Sequence, residues 1–238
     1  MRQVCLLHTS DLHDHLTPEK AAVLRALKEE HEALLIDTGD AVRAPNVAVM
    51  PWRERAISLM NEAGYDAMGL GNREYFFRNW GMAWKTGHAR FPRVASNLYG
   101  GTGVRSYCTL EVSGVRVGLM ALMPTMIAPD HVFEWVANNR FRPWQWSAAA
   151  AIGALRAQCD LVVALFHRPA DEIAELTALC PEVRLILAGH AHATEVHTEP
   201  LSDAPYVSFA GECARQARLI RLRSPEGTVT MSRLLDLG

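Results

Sequence analysis

Five short stretches of this chain carry side chains that bind metal ions. Asp11-Leu12-His13 places a carboxylate and an imidazole two residues apart, directly after an apolar run. Residues at i and i+2 leaving a strand can turn toward one cation, Asp offering oxygen and His nitrogen. Leu35-Ile36-Asp37-Thr38-Gly39-Asp40 ends a second apolar run in a Gly turn and a carboxylate. A carboxylate has two oxygens and can bridge two metals, so Asp40 is the candidate bridge. Asp37 is expected to hold the turn or to orient a ligand. Gly71-Asn72-Arg73-Glu74 offers the neutral carbonyl oxygen of Asn72. His167 ends the run Leu161 to Phe166, and Gly189-His190-Ala191-His192 follows Leu185 to Ala188. Each block alone is a weak signal, because a His beside a core strand is more often structural than ligating. Their common setting is the stronger one: every block follows an apolar strand, and ligands gather at the carboxyl ends of strands in open α/β sheets. The donors are nitrogen and oxygen with no thiolate, which suits Mn, Fe, Zn or Co better than a soft-metal site.

The elements that must position these residues are legible as an alternation. Residues 3–8, 33–36, 66–69, 161–166 and 184–188 read as strands. Residues 18–30, 52–63, 144–158 and a stretch near 170–179 read as helices. The first of these has Thr17 as N-cap and Pro18 at its first position. Residues 106–112 and 115–122 form an expected hairpin turning at Ser113-Gly114, and 206–235 reads as further strands. Strands alternating with helices argue for an α/β class, and the hairpin adds antiparallel pairing. Residues 124–143 are the least regular. Their Arg and aromatic content fits either a lid or pocket wall, or a packed surface excursion.

Composition narrows the function classes. The chain has 238 residues, 49% of them hydrophobic, enough for one sizeable core and a single domain over 1–238. A net charge of −2 without a run of Lys or Arg argues against an extended nucleic-acid surface and leaves room for a small phosphate-bearing substrate. No apolar stretch is long enough to span a bilayer. The five Cys are odd in number and form no C-x-x-C, and Cys5 and Cys108 sit in strand-like runs. Free thiols in a reducing compartment are expected. Met1 runs almost directly into the first strand, which leads to the expectation of a cytoplasmic protein without a signal peptide.

The chain resembles the calcineurin-type metallophosphoesterases, and within them the catalytic domain of 5′-nucleotidases. The resemblance rests on His8 to Leu16, on Asn61 to Asn72, on Phe91-Pro92 through Leu98, and on Val112 to Gly118. It implies a four-layer α-β-β-α sandwich of two mixed sheets. It also implies two divalent or mixed-valence metal ions, Mn, Fe or Zn. One would take Asp11, His13, Asp40 and His192, the other Asp40, Asn72, His167 and His190. A hydroxide between them would attack phosphorus in line.

Two departures qualify this expectation. The third block of the family reads Gly-Asn-His-Glu followed by Phe-Asp or similar; the His protonates the leaving oxygen and the Asp orients it. This chain has Arg73 and Phe76 at those positions. Arg is a poor general acid and a good phosphate clamp, so Arg73 is the candidate catalytic and substrate-binding residue. His15, two residues past His13, is the first choice for a replacement proton donor, ahead of His88 and His131. For His88, His131 and His197 an ordinary core or surface role is the simpler expectation. Arg168 is a second candidate for phosphate contact, weighed against plain surface placement. The other departure is length. Typical 5′-nucleotidases carry a C-terminal domain that binds the nucleoside, whereas this chain ends at Gly238, so nucleoside specificity is not expected and the aromatic loop 124–146 is a candidate substitute.

The expected function is therefore metal-dependent hydrolysis of a phosphate monoester or diester, favouring good leaving groups. The alternatives are hydrolysis of a non-phosphate ester on the same metals, and a non-catalytic metal-binding protein on this scaffold.

Overall fold

A computed structural model describes residues 2–43, 52–100, 103–194 and 205–238. The chain opens on β1 (Arg2–Thr9), α1 (Pro18–Glu30), β2 (Leu34–Asp37), α2 (Arg55–Ala63) and β3 (Ala67–Gly69). Then come α3 (Asn79–Thr86), β4 (Arg93–Val94), β5 (Leu98–Tyr99), β6 (Val104–Arg105), β7 (Tyr107–Val112) and β8 (Val115–Leu122). α4 (Val132–Ala137), β9 (Arg140–Phe141), α5 (Trp144–Leu155), β10 (Leu161–Phe166) and α6 (Ile173–Leu179) follow. The chain closes on β11 (Leu185–Ala188), β12 (Tyr206–Phe209), β13 (Gln216–Ser224) and β14 (Thr228–Asp236).

Local chemistry sets the boundaries. The Thr17 side chain accepts from the Lys20 N–H and Pro18 occupies the first turn of α1, as expected. The β7–β8 hairpin turns through Ser113 (φ 51°) and Gly114 (φ 69°), two left-handed residues that match strand twist in a two-residue loop.

Among the described residues the strands form a seven-stranded sheet ordered β14-β13-β1-β2-β3-β4-β6 and a five-stranded sheet ordered β12-β11-β10-β8-β7, with β5 and β9 as a separate pair. Both large sheets are mixed. β1, β2 and β3 run parallel while β13 and β14 are antiparallel; β8, β10, β11 and β12 run parallel while β7 is antiparallel. The core clusters reveal four layers. Leu6, Ile36 and Ala67 of the first sheet meet Val117, Val163 and Leu187 of the second. The outer face of the first sheet packs on Leu24 of α1 and Ile57 and Met60 of α2. The outer face of the second packs on Ala148 and Leu155 of α5 and Leu176 of α6. The expected α-β-β-α sandwich is the fold.

Register then levels the strand ends. Thr9 lies beside Asp37, Asp37 beside Met68, and Phe166 beside Ala188. Five strands therefore release their loops at one edge of the sandwich.

The segment over 124–143 is more ordered than its sequence suggests. α4 is capped by His131, whose side chain accepts from the Phe133 N–H, and β9 pairs with β5. Ile127, Ala137 and Phe141 are buried with Tyr75 and Phe76, whereas Phe133 and Trp135 stay exposed. Trp144 packs in the core against Phe166, and Trp146 is exposed beneath the Arg142 guanidinium. α3 has no counterpart in the sequence expectations.

Candidate metal centre

The loops leaving β1, β2, β3, β10 and β11 converge through an unusual backbone. Asp11, His13, Asp40, His190 and His192 all have left-handed φ values of 48–69°. Such residues persist only where surrounding structure holds them, and they cluster at functional sites. The surroundings here are specific. Asp11 N–H donates to the Gly39 carbonyl and His13 N–H to the Asp40 carbonyl, stitching the first turn to the second. Gly39, at φ 114°, has room for no side chain: a Cβ would stand 2.5 Å from the Gly71 nitrogen. Glu74 is fully buried, and its two oxygens accept the N–H groups of Asp40, Ala41, Val42 and Gly71. One carboxylate thus fixes the second turn to the third. Burial pushes its carboxyl up, and the Asp40 charge adds to that. Asp37 holds its own turn, accepting from Thr9 Oγ1 and the Gly39 N–H.

The ligand atoms of Asp11, His13 and His192 lie within 4.8 Å of one another, as do those of Asp11, Asp40 and His167. His192 Nε2 is 3.4 Å and His13 Nε2 3.7 Å from Asp11 Oδ1; His167 Nε2 is 3.5 Å and His13 Nε2 3.9 Å from the two Asp40 oxygens. These separations exceed hydrogen-bond lengths. They suit atoms sharing one cation at roughly 2.0–2.2 Å each. Asp11 Oδ1, His13 Nε2 and His167 Nε2 are buried without a hydrogen-bond partner. Buried polar atoms left in this way demand an explanation, and a cation supplies it. Two of the rings are already oriented for such a role. His167 Nδ1 meets the Thr38 carbonyl at 3.1 Å and His192 Nδ1 meets Glu212 at 2.9 Å, so Nε2 of each faces the carboxylates. The residues present therefore fit divalent metal ions.

The electrostatics agree. Burial works against the Asp40 charge, yet His13 and His167 beside it hold the carboxyl well below its usual range. Burial likewise opposes the His167 charge, but Asp40 and then Asp11 push it up to about 9. Positive charge is favoured between these carboxylates, and a bound cation would take the place of the proton.

Asn72 and His190 complete the seven residues expected from sequence. Asn72 is buried in the turn after β3. Its neighbours press on Asp40: a Cβ on Gly71 would stand 2.3 Å from Asp40 Oδ1, and the Arg73 N–H donates to that oxygen at 2.7 Å. His190 packs edge-on against His167 and donates its N–H to Asp11 Oδ2. Burial and the His167 charge hold its ring below the usual imidazole range.

The remaining candidates separate clearly. Arg73 stays at the site, its Nε buried without a hydrogen bond and 3.6 Å from Asp40 Oδ2. Phe76, at the position of the family's orienting Asp, is packed among apolar side chains. His15 is exposed, its N–H donating to the Leu12 carbonyl. Arg168 is neither on the surface nor turned to a ligand. It is buried, grips Glu172 through Nε and Nη2, and donates to the Met123 carbonyl. A carboxylate four residues on, at the start of α6, captures it. His88 contacts the Glu54 carbonyl and His131 caps α4, ordinary roles as expected; His197 lies outside the described residues.

Sequence reasoning missed Glu74 as a clamp, although the residue stands in the third block. It also missed Glu212 and Cys213, where an acidic residue follows the buried strand β12 just as the ligands follow theirs. Lys85 was missed as well: it is buried on α3 and donates to the Arg73 and Tyr75 carbonyls.

The chain is similar to several known proteins. The metallophosphoesterase YunD of Bacillus subtilis is 25% identical over 202 residues, covering 79% of this chain and 43% of YunD. Among solved structures, a 5′-nucleotidase precursor from Thermus thermophilus superposes with a TM-score of 0.76 at 20% identity, over 98% of this chain and 54% of that one. The sulfate thiohydrolase SoxB of Thermus thermophilus also reaches 0.76, at 15% identity, over 98% of this chain and 56% of its own. The chain spans only about half the length of these relatives. The sequence model of the calcineurin-like phosphoesterases matches residues 6–194, a span that runs from β1 through the His190–His192 turn, and the chain belongs to that family.

Proposed function

We propose that this chain hydrolyses small phosphate esters at a dinuclear centre held by Asp11, His13, Asp40, Asn72, His167, His190 and His192, with Asp40 between the two ions. The observation that carries this reading is the set of buried, unpartnered ligand atoms on Asp11, His13 and His167, spaced 3.5–3.9 Å across the carboxylates of Asp11 and Asp40. Mn, Fe or Zn suits the nitrogen and oxygen donors. When bound, such a pair supplies Lewis-acid charge and a water made nucleophilic at neutral pH.

The chain's own residues do the rest. Asp11 and Asp40 concentrate negative charge that the ions offset, and the backbone stitches between the loops keep them from drifting apart. Arg73 is the phosphate clamp: its unpartnered Nε beside Asp40 is a fixed cationic donor for a phosphoryl oxygen. It cannot protonate a leaving oxygen at neutral pH. With Phe76 in an apolar cluster, the site lacks the acid pair of the family resemblance, and loss of general-acid catalysis costs roughly 10²–10⁴-fold on poor leaving groups. The substrate class is thus an activated ester, a cyclic phosphate or a phosphoanhydride. His15, exposed on the first turn, is the residue for a replacement acid. No described helix is long and apolar enough to cross a membrane, and all five cysteines are free thiols. Free thiols favour a reducing, cytoplasmic setting.

Similarity to SoxB favours a second reading, hydrolysis of a sulfur-containing ester on the same ions. Rates on aryl phosphates of graded leaving-group pKa with added Mn²⁺, using Asp40→Asn as control, separate these readings. A steep dependence abolished in the control supports the proposal. A shallow dependence assigns protonation to another residue. No turnover with metal bound moves the substrate outside phosphate esters or removes catalysis altogether.

A further inference from the structure

A third group of candidate ligands stands beside the proposed pair and differs from it in kind. The ligand atoms of His13, Glu212 and Cys213 lie within 4.8 Å of one another. This is the one such group among the described residues that contains sulfur. The turn between β12 and β13 builds it. Gly211 has φ 80°, and its carbonyl accepts from Ser10 Oγ at 3.3 Å. Cys213 has a left-handed φ of 58°, and its N–H donates to the Asp11 carbonyl at 2.8 Å. Two hydrogen bonds to the first loop thus fix a strained turn so that its thiol and carboxylate face His13. The His13 side chain is 7% exposed, and its Nε2 has no hydrogen-bond partner. Glu212 and Cys213 are each only partly exposed, so a hydrated ion can reach them.

We propose that His13, Glu212 and Cys213 form an alternative site, overlapping the pair at His13, for a thiophilic divalent cation such as Zn²⁺ or Cd²⁺. Imidazole, carboxylate and thiolate together select those ions over Mn²⁺, which prefers oxygen. Binding expels the Cys213 thiol proton to solvent. The site shares His13 with the proposed pair, and Glu212 also holds the His192 ring. A soft ion there competes for His13 and draws Glu212 away from His192. Occupancy is therefore antagonistic to Mn²⁺ at the neighbouring centre, and excess zinc is inhibitory.

Cd²⁺ titration of the purified full chain, followed by the ultraviolet thiolate-to-cadmium charge-transfer band, tests the site without reference to turnover. The wild type and Cys159→Ser, which removes the other partly exposed thiol, are expected to develop the band at one equivalent. Cys213→Ser is expected to lose it while keeping its circular dichroism and its Mn²⁺ binding. Glu212→Ala is expected to weaken Cd²⁺ about ten- to a hundred-fold. A band that survives Cys213→Ser, or no band in the wild type, overturns the proposal. Failure of the dinuclear reading shows instead as lost Mn²⁺ binding with the cadmium band intact.

Discussion

Replacing Gly71 with Ala adds one methyl group at the tightest point of the site. The new Cβ would stand 2.3 Å from Asp40 Oδ1, 2.6 Å from the Asp40 nitrogen and 2.8 Å from His167 Nε2. None of these is the free end of a flexible side chain. Two are proposed ligand atoms and the third is backbone already held by Glu74. Relief requires the second and third turns to part by about 1 Å, and a displacement of that size in a reacting constellation costs on the order of 10²-fold in rate. The φ of Gly71 is not in the left-handed region, so the effect is steric and local rather than conformational. The predicted outcome is a folded protein with Mn²⁺ affinity reduced about ten- to a hundred-fold and kcat/KM on an aryl phosphate reduced about a hundred-fold. Gly153→Ala is the control: a Cβ there meets nothing within 4 Å on α5, and helix propensity favours Ala by up to about 1 kcal/mol. Calorimetric metal titration and steady-state kinetics on both variants decide the matter. A Gly71→Ala protein that binds Mn²⁺ and turns over within about twofold of wild type would refute the reasoning from close approach.

Three further outcomes are expected. Arg73→Ala should lower kcat/KM about 10²–10³-fold and weaken competitive inhibition by inorganic phosphate, with metal content unchanged; unchanged phosphate inhibition would remove Arg73 from the substrate site. Glu74→Ala strands four buried N–H groups at a cost of about 1–3 kcal/mol each, so urea denaturation should show a loss of at least about 4 kcal/mol. His8 supplies the pH dependence. Burial, with Arg218 adding to it, pushes this imidazole down from 6.5 to about 3 in the folded protein. Below pH 6.5 the unfolded chain takes up a proton that the native state refuses. Stability is therefore full above 6.5 and falls by up to about 1.4 kcal/mol per pH unit down to about 3. His8→Gln should make the acid limb of the stability curve shallower by one proton, and an unaltered limb would contradict the assignment.

The contrast between what sequence disclosed and what it hid follows from range. Ligands such as Asp40 and His167 end buried parallel strands, and a polar residue closing an apolar run is a local pattern. The capping of α1 by Thr17 and Pro18 and the Ser113-Gly114 hairpin are equally local. Arg168 was misplaced although a helix was expected near 170–179, because its burial against Glu172 and the distant Met123 carbonyl is a tertiary fact. Glu212 and Cys213 sit in a tail read only as strands, and their meeting with His13 depends on the turn after β12 of one sheet docking on the loop after β1 of the other. α3 is short and carries Gly81, a poor helix former, so its local signal is weak; the Gly is needed since a Cβ there would strike the Phe76 ring. Burial of Lys85 against the Arg73 carbonyl is a tertiary fact with no local signature.

The central claim is that one chain holds two ions bridged by Asp40. Mn²⁺ titration followed by electron paramagnetic resonance tests it most directly. The account predicts two ions per chain with a spin-coupled spectrum, and loss of the coupling in Asp40→Asn. A single ion, or two that never couple, would contradict it.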